Sequence, residues 1–157
     1  MTVDPDRTRE IVRHELEKAC LDGLNVEVDP DFDELVVTVR MTSPVDGEIY
    51  VVEFECSNYR EEPPAVELLH PESGECGVPA AFFQDGTTLI ATPNSGPIIC
   101  HQFNRLVYER DDVHNNWTLA GWEQDADEYT TLGAMIGRIY GAISDPNEYQ
   151  GRYEEIT

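Results

Sequence analysis

The chain has 157 residues, 40 % of them hydrophobic, which suits one domain (1–157) with a core of its own. Thirty-two acidic residues against ten basic ones give a formal charge of −22, a sign that excludes nucleic acid and anionic membrane surfaces as partners. No apolar run approaches the ~20 residues that span a bilayer, and "MTVDPDRTRE" lacks the basic-then-apolar pattern of a secretory signal, so a cytoplasmic address is expected.

The acids are spread along the chain rather than gathered in a tail. Concentrated salt would screen the self-repulsion of such a surface, and a salt-loving host explains it better than an ordinary acidic background does. Lys18 is the only lysine, against nine arginines. The four cysteines form no CxxC pair, so a zinc ribbon or thioredoxin-like motif is unsupported. Cys20 and Cys56 read as core or half-buried thiols. Cys76 and Cys100 lie in Gly/Pro-rich segments, where chemistry more often sits.

In chain order, Asp4 and Pro5 open a helix expected to run to about Leu21, with Ile11, Val12, Leu16, Ala19 and Cys20 as its apolar stripe and Gly23 as its stop. Four of the ten bases, Arg7, Arg9, Arg13 and Lys18, lie on it. Four strands follow: "LNVEV", "ELVVTVRM", "IYVVEFEC" and "AVELL". The turns "DPDFD" and "SPVDGE" and the segment "SNYREEPP" separate them. They predict a four-stranded antiparallel meander. The stretch from His70 to Trp122 reads as irregular, with a hairpin around "QDGT" that sets Phe82 and Phe83 against Leu89 and Ile90. Leu132, Met135, Ile136, Ile139, Tyr140 and Ile143 recur at helical spacing over 130–143. Gly133, Gly137 and Gly141 lie among them, as if to permit close packing on the sheet. "DPN" at 145–147 stops this helix, and "EYQGRYEEI" is expected to form a last helical turn. The fold class is α+β.

Several motifs in that order resemble the ubiquitin-conjugating (E2, UBC-fold) enzymes, in their divergent prokaryotic branch. They are the hairpin glycine Gly47, the aromatic strand with Tyr50 and Phe54, Tyr59 before the pair Pro63–Pro64, and the apolar strand with Val66 and Leu68. "TPN" at 92–94, "IIC" at 98–100, Trp117, and a helix stopping at "DPN" follow. Thr92 stands where the family has histidine, and the proline pair and Trp117 are farther from the cysteine than is usual. The resemblance implies a UBC-like fold with an irregular active-site segment and C-terminal helices. It also implies an activity: accepting a ubiquitin-like modifier from an activating (E1-like) enzyme as a Cys100 thioester and passing it to an amine, with no cofactor. Asn94 would inherit the oxyanion-stabilising amide. Arg7, Arg9, Arg13, Pro63 and Pro64 would meet partners: the activating enzyme, the modifier, and a ligase or substrate protein.

Such chemistry needs a thiolate, because the thiol attacks poorly, and an amide donor near the oxyanion, worth on the order of 3 kcal/mol in the transition state. His101, next in sequence to Cys100, is a candidate base, although adjacent residues on an extended chain point oppositely. Asp111, Asp112 and His114 are candidate amine-orienting groups. Three alternatives stay open. The nucleophile could be Cys76 in "HPESGEC". The fold could serve as an adaptor that binds partners without thioester chemistry. A metal could be held by His70, Cys76, Cys100 and His101.

Overall fold

The computed structural model describes residues 4–86, 89–93, 96–110 and 117–153. It is an α+β chain built on a four-stranded antiparallel sheet, with helix α1 (Pro5–Lys18) before it. The Asp4 carboxylate caps α1 by accepting from Asp6 N–H, with Pro5 in the first turn, as the sequence predicts. The helix stops at Lys18, not Leu21, and Ala19 turns extended. The cause is tertiary: Ala19 packs against Gly133 of a later helix. Cys20 is therefore off the helix and exposed, contrary to expectation, whereas Cys56 is buried as expected.

The meander runs β1 (Val26–Asp31), β2 (Val36–Thr42), β3 (Ile49–Glu55) and β4 (Ala65–Leu69), each strand paired with the next. Strand β1 continues through Asp29 and Pro30, where a turn was expected. Pro30 is tolerated because β1 is an edge strand and needs no donor on its open side. The register alternates cleanly. Val37, Val39 and Met41 of β2, Tyr50, Val52 and Phe54 of β3, and Val66 and Leu68 of β4 are buried on one face. Glu27, Asp29, Asp31, Glu53, Glu55 and Glu67 lie on the other.

Beyond β4 come β5 (Phe83–Asp85), β6 (Ile90–Ala91), β7 (Ile98–Ile99), and helices α2 (Arg105–Glu109), α3 (Trp122–Asp125) and α4 (Leu132–Ser144). The last element is β8 (Tyr149–Arg152). Thr131 caps α4, accepting from Ala134 N–H. Its apolar stripe, Leu132, Met135, Ile136, Ile139 and Ile143, joins Val12 and the inner sheet face in one buried cluster. Each such side chain is worth roughly 1.5–3 kcal/mol on burial.

The segment after "DPN" is a strand, not a helical turn, and the expected hairpin's Thr87 and Thr88 lie outside the described residues, among which β5 and β6 take other partners. β5 pairs with β8, while β6 pairs with β7. Side chains explain the choice. Tyr149 Oη lies 2.6 Å from Tyr50 Oη and donates to Asp46 at 2.9 Å. The Arg152 guanidinium sits 4.5 Å over the Tyr50 ring and bonds to Glu48 and to the Ala80 carbonyl. These bonds fasten the C-terminal segment to β3 and to the turn before it. The α4 glycines also differ from expectation. Gly133 permits an approach to α1's end, not to the sheet, while Gly137 and Gly141 meet nothing within 4 Å.

Candidate functional site

Cys100 follows directly on β7, whose Ile98 and Ile99 are both buried. Its N–H donates to the Leu89 carbonyl at 2.6 Å, extending the β6–β7 ladder by one residue. Anchored by two core isoleucines, the cysteine emerges half-buried at the strand's end. Burial pushes its thiol above the ordinary cysteine value.

The side chain that holds this strand in place is Asn104, fully buried and not foreseen from sequence. Its Oδ1 accepts from Val66 N–H at 2.9 Å and Leu106 N–H at 3.1 Å. Its Nδ2 donates to the carbonyls of Val66 at 3.2 Å and Ile99 at 2.9 Å. Val66 lies on edge strand β4, so the amide acts as a one-residue substitute strand: it pairs that edge, caps α2, and ties both to the carbonyl just before Cys100. Arg105 N–H continues the seam to the Pro64 carbonyl. The readable signal was an Asn immediately before "RLV", an N-cap in the usual sense.

His101 is half-buried, stacked on Phe103 at 4.2 Å and edge-on to Tyr129 at 5.3 Å. Its Nδ1 accepts from Phe103 N–H, which puts the proton of the neutral ring on Nε2. Burial first, and then the nearby Arg138 charge, lower its pKa to about 4. At neutral pH it is an uncharged packing group and a weak proton acceptor. Asn94, Asp111, Asp112 and His114 lie outside the described residues.

Cys76 is exposed and bridges Leu69 at the sheet edge. Glu67 first, with a smaller contribution from Glu53, raises its thiol, since nearby carboxylates disfavour a thiolate. His70 turns inward on its own loop, Nδ1 accepting from Glu72 and Ser73 N–H. Among the described residues no group of three or more His, Cys, Asp or Glu is placed to hold a metal ion.

The bases of α1 divide between two faces. Arg9 donates to the Phe32 carbonyl at 2.8 Å and pairs with Asp6 at 2.7 Å, and Arg13 stacks over the Phe32 ring at 4.6 Å. Both are committed to the β1–β2 turn. Arg7 is exposed on another side. Pro63 and Pro64 are buried at the entry to β4. Between α1 and α4 sits a junction that sequence reasoning passed over. The buried carboxylate of Glu15 accepts from Tyr59 Oη at 2.6 Å and Leu132 N–H at 2.9 Å, and pairs with Arg60 at 3.2 Å. Tyr59, singled out by its place before the prolines, thus joins the β3–β4 connection to both long helices. No helix among the described residues is long and apolar enough to cross a membrane. In comparison with known proteins, the sequence matches no family model and no curated protein.

Proposed function

We propose that this chain is a UBC-fold, E2-like carrier of a ubiquitin-like modifier. One observation supports the reading above the others. Downstream of a four-stranded meander, and upstream of a long helix that stops at Asp145-Pro146-Asn147, a half-exposed cysteine emerges from a buried two-residue strand. Asn104 fixes that strand to the sheet edge. A carrier needs this combination of a fixed backbone and an accessible sulfur.

In the proposed cycle the Cys100 thiolate attacks the carbonyl of a modifier held as a thioester on an activating enzyme. A new C–S bond forms, the old one breaks, and the departing thiolate takes up a proton. A substrate amine then attacks the same carbonyl. The C–N bond replaces the C–S bond, the amine loses a proton, and Cys100 leaves as thiolate. Asn94 would steady the oxyanion in both steps. Cys100 is preferred to Cys76 because it follows the buried pair Ile98 and Ile99, a lead-in that the exposed Cys76 lacks.

A second reading, a non-catalytic adaptor of the same fold, is favoured by two facts: burial raises the Cys100 thiol, and His101 is held neutral within an aromatic packing. Adduct trapping in the source organism separates the two. Wild type should carry a mass-shifted, thiol-labile species. Cys100→Ser should carry a thiol-resistant one, and Cys76→Ser should behave as wild type. No adduct in any version, with partners still co-purifying, would establish the adaptor. The pattern transferred to Cys76→Ser would move the site.

A further inference from the structure

We propose that the outer edge of β1 accepts an added strand from a partner protein, an extended segment in which basic and apolar residues alternate. The inference rests on backbone groups of the sheet, and it holds whether or not the chain carries a modifier.

Register decides which backbone groups are open. Thr42 N–H donates to the Asn25 carbonyl at one end of the β1–β2 ladder. In an antiparallel pair the bonded positions recur at every second residue. Glu27, Asp29 and Asp31 therefore bond to Arg40, Thr38 and Val36 of β2, while Val26, Val28 and Pro30 turn their backbone groups away from the sheet. Among the described residues none bonds to the N–H groups of Val26 and Val28 or to the carbonyls of Val26, Val28 and Pro30. The opposite edge is treated differently. On β4, Asn104 takes both backbone groups of Val66, and Gly77 N–H takes the Leu68 carbonyl. One edge of the sheet is plugged and the other is open.

Side chains name the occupant. On the inner side, Val28 and Pro30 meet Leu16, Leu21 and Phe32 around a groove of about 360 Å³, large enough to enclose apolar side chains. On the outer side Glu27, Asp29 and Asp31 are exposed. A strand laid on this edge alternates its side chains between the two sides, so its apolar residues enter the groove and its bases face the three acids. Pro30 offers a carbonyl but no N–H. An antiparallel strand therefore gains two bonds at Val26, two at Val28 and one at Pro30. A second copy fits poorly. Two-fold pairing centred on Val28 would set Glu27 directly opposite the other copy's Asp29, and like charges so placed are destabilising. A proline and charged side chains guard an edge against its own kind, but acids do not repel a basic strand.

The probe is a fluorescein-labelled peptide, Lys-Val-Lys-Val-Lys-Val-Lys, titrated with the full chain in about 0.5 M KCl, where long-range attraction between a cationic peptide and an acidic surface is screened. Saturable binding with a Kd below about 1 mM is expected. N-methylation of the central valine removes the N–H that faces the edge and should weaken binding at least tenfold. N-methylation of the lysine after it, whose N–H points away, should leave binding within about threefold. Asp29→Lys should weaken binding about fivefold, and the peptide Lys-Val-Glu-Val-Lys-Val-Lys should recover it on that variant. Glu67→Lys, on the same face beside the plugged edge, should change nothing. Far-ultraviolet circular dichroism confirms that each variant is folded. The inference is overturned if wild type shows no saturable binding, if the two N-methylated peptides bind alike, or if Glu67→Lys weakens binding as much as Asp29→Lys does. A wild-type dimer that Val28→Pro dissociates would also overturn it, by making a second copy the occupant; proline is tolerated there because the Val28 N–H has no partner within the sheet.

Discussion

Asn104 makes four hydrogen bonds from a fully buried amide. Asn104→Ala would leave Val66 N–H and two carbonyls unpaired in the core, at roughly 1–3 kcal/mol for each buried group left without a partner. A total loss of about 3 kcal/mol is expected in urea unfolding, with the m-value preserved; a loss below 1 kcal/mol would mean that water replaces the amide. His101 gives a pH signature. Its folded pKa, about 4, lies below the unfolded value near 6.5. As pH falls the unfolded chain takes the proton first, so the stability is complete above about pH 6.5 and is lost progressively down to pH 4. The ring is only half-buried, so the loss is about 1–2 kcal/mol after discounting for solvent. His101→Asn keeps an acceptor for Phe103 N–H and should be less stable than wild type at pH 7.5 but flatter between pH 6.5 and 4. Parallel curves would place the titrating group elsewhere.

At the scale of elements, the glycines of α4 make opposite predictions on one helix. A Cβ at Gly133 would lie 2.9 Å from Ala19 Cβ, closer than side chains tolerate, whereas Gly137 and Gly141 open onto free space. Gly137→Ala with Gly141→Ala should stabilise by about 1–2 kcal/mol in total through helix propensity. Gly133→Ala should destabilise, because the α1–α4 contact must open. A stabilising Gly133→Ala would show that Ala19 yields freely. The same helix shows what the sequence could and could not reveal. Its apolar period and "DPN" stop are local signals, and its span was legible from them; so were α1's start and all four meander strands. What escaped were decisions made by distant partners. Lys18 ends α1 because α4 approaches Ala19. The Tyr149–Arg152 segment becomes a strand because Tyr50, Asp46 and Glu48 hold it. The candidate site follows the same rule: Cys100 was legible from its apolar lead-in, but Asn104, which pairs an edge strand 38 positions away, leaves only a cap-like trace in sequence.

For the whole molecule, 22 net negative charges on a surface of 8514 Å² amount to one per ~390 Å², a mean spacing near 20 Å. That exceeds the ~10 Å Debye length at 0.1 M salt, so evenly spread charge would already be screened there. Local crowding is what remains. The outer sheet face sets Glu53 directly opposite Glu67, with Glu55 close by. Burial first, and then those two neighbours, raise the Glu53 pKa. A carboxyl raised on folding favours its protonated form, so its contribution is lost as pH rises past that value and is unfavourable at pH 7. Salt should relieve this repulsion mainly between 0.1 and 1 M, where the Debye length falls from about 10 to about 3 Å. A rise in Tm of about 5–10 °C is expected over that interval, equal for NaCl and KCl and much smaller for an uncharged osmolyte at the same osmolality. Glu53→Gln should raise the stability at 0.1 M by a few tenths of a kcal/mol, given the partial exposure of the site, and with it Tm, and should narrow the gap to the 1 M value. If Tm is flat across the interval, the acidic surface is not a salt adaptation of the folded state, and the explanation for 32 acids against ten bases has to be sought in solubility or in partners instead.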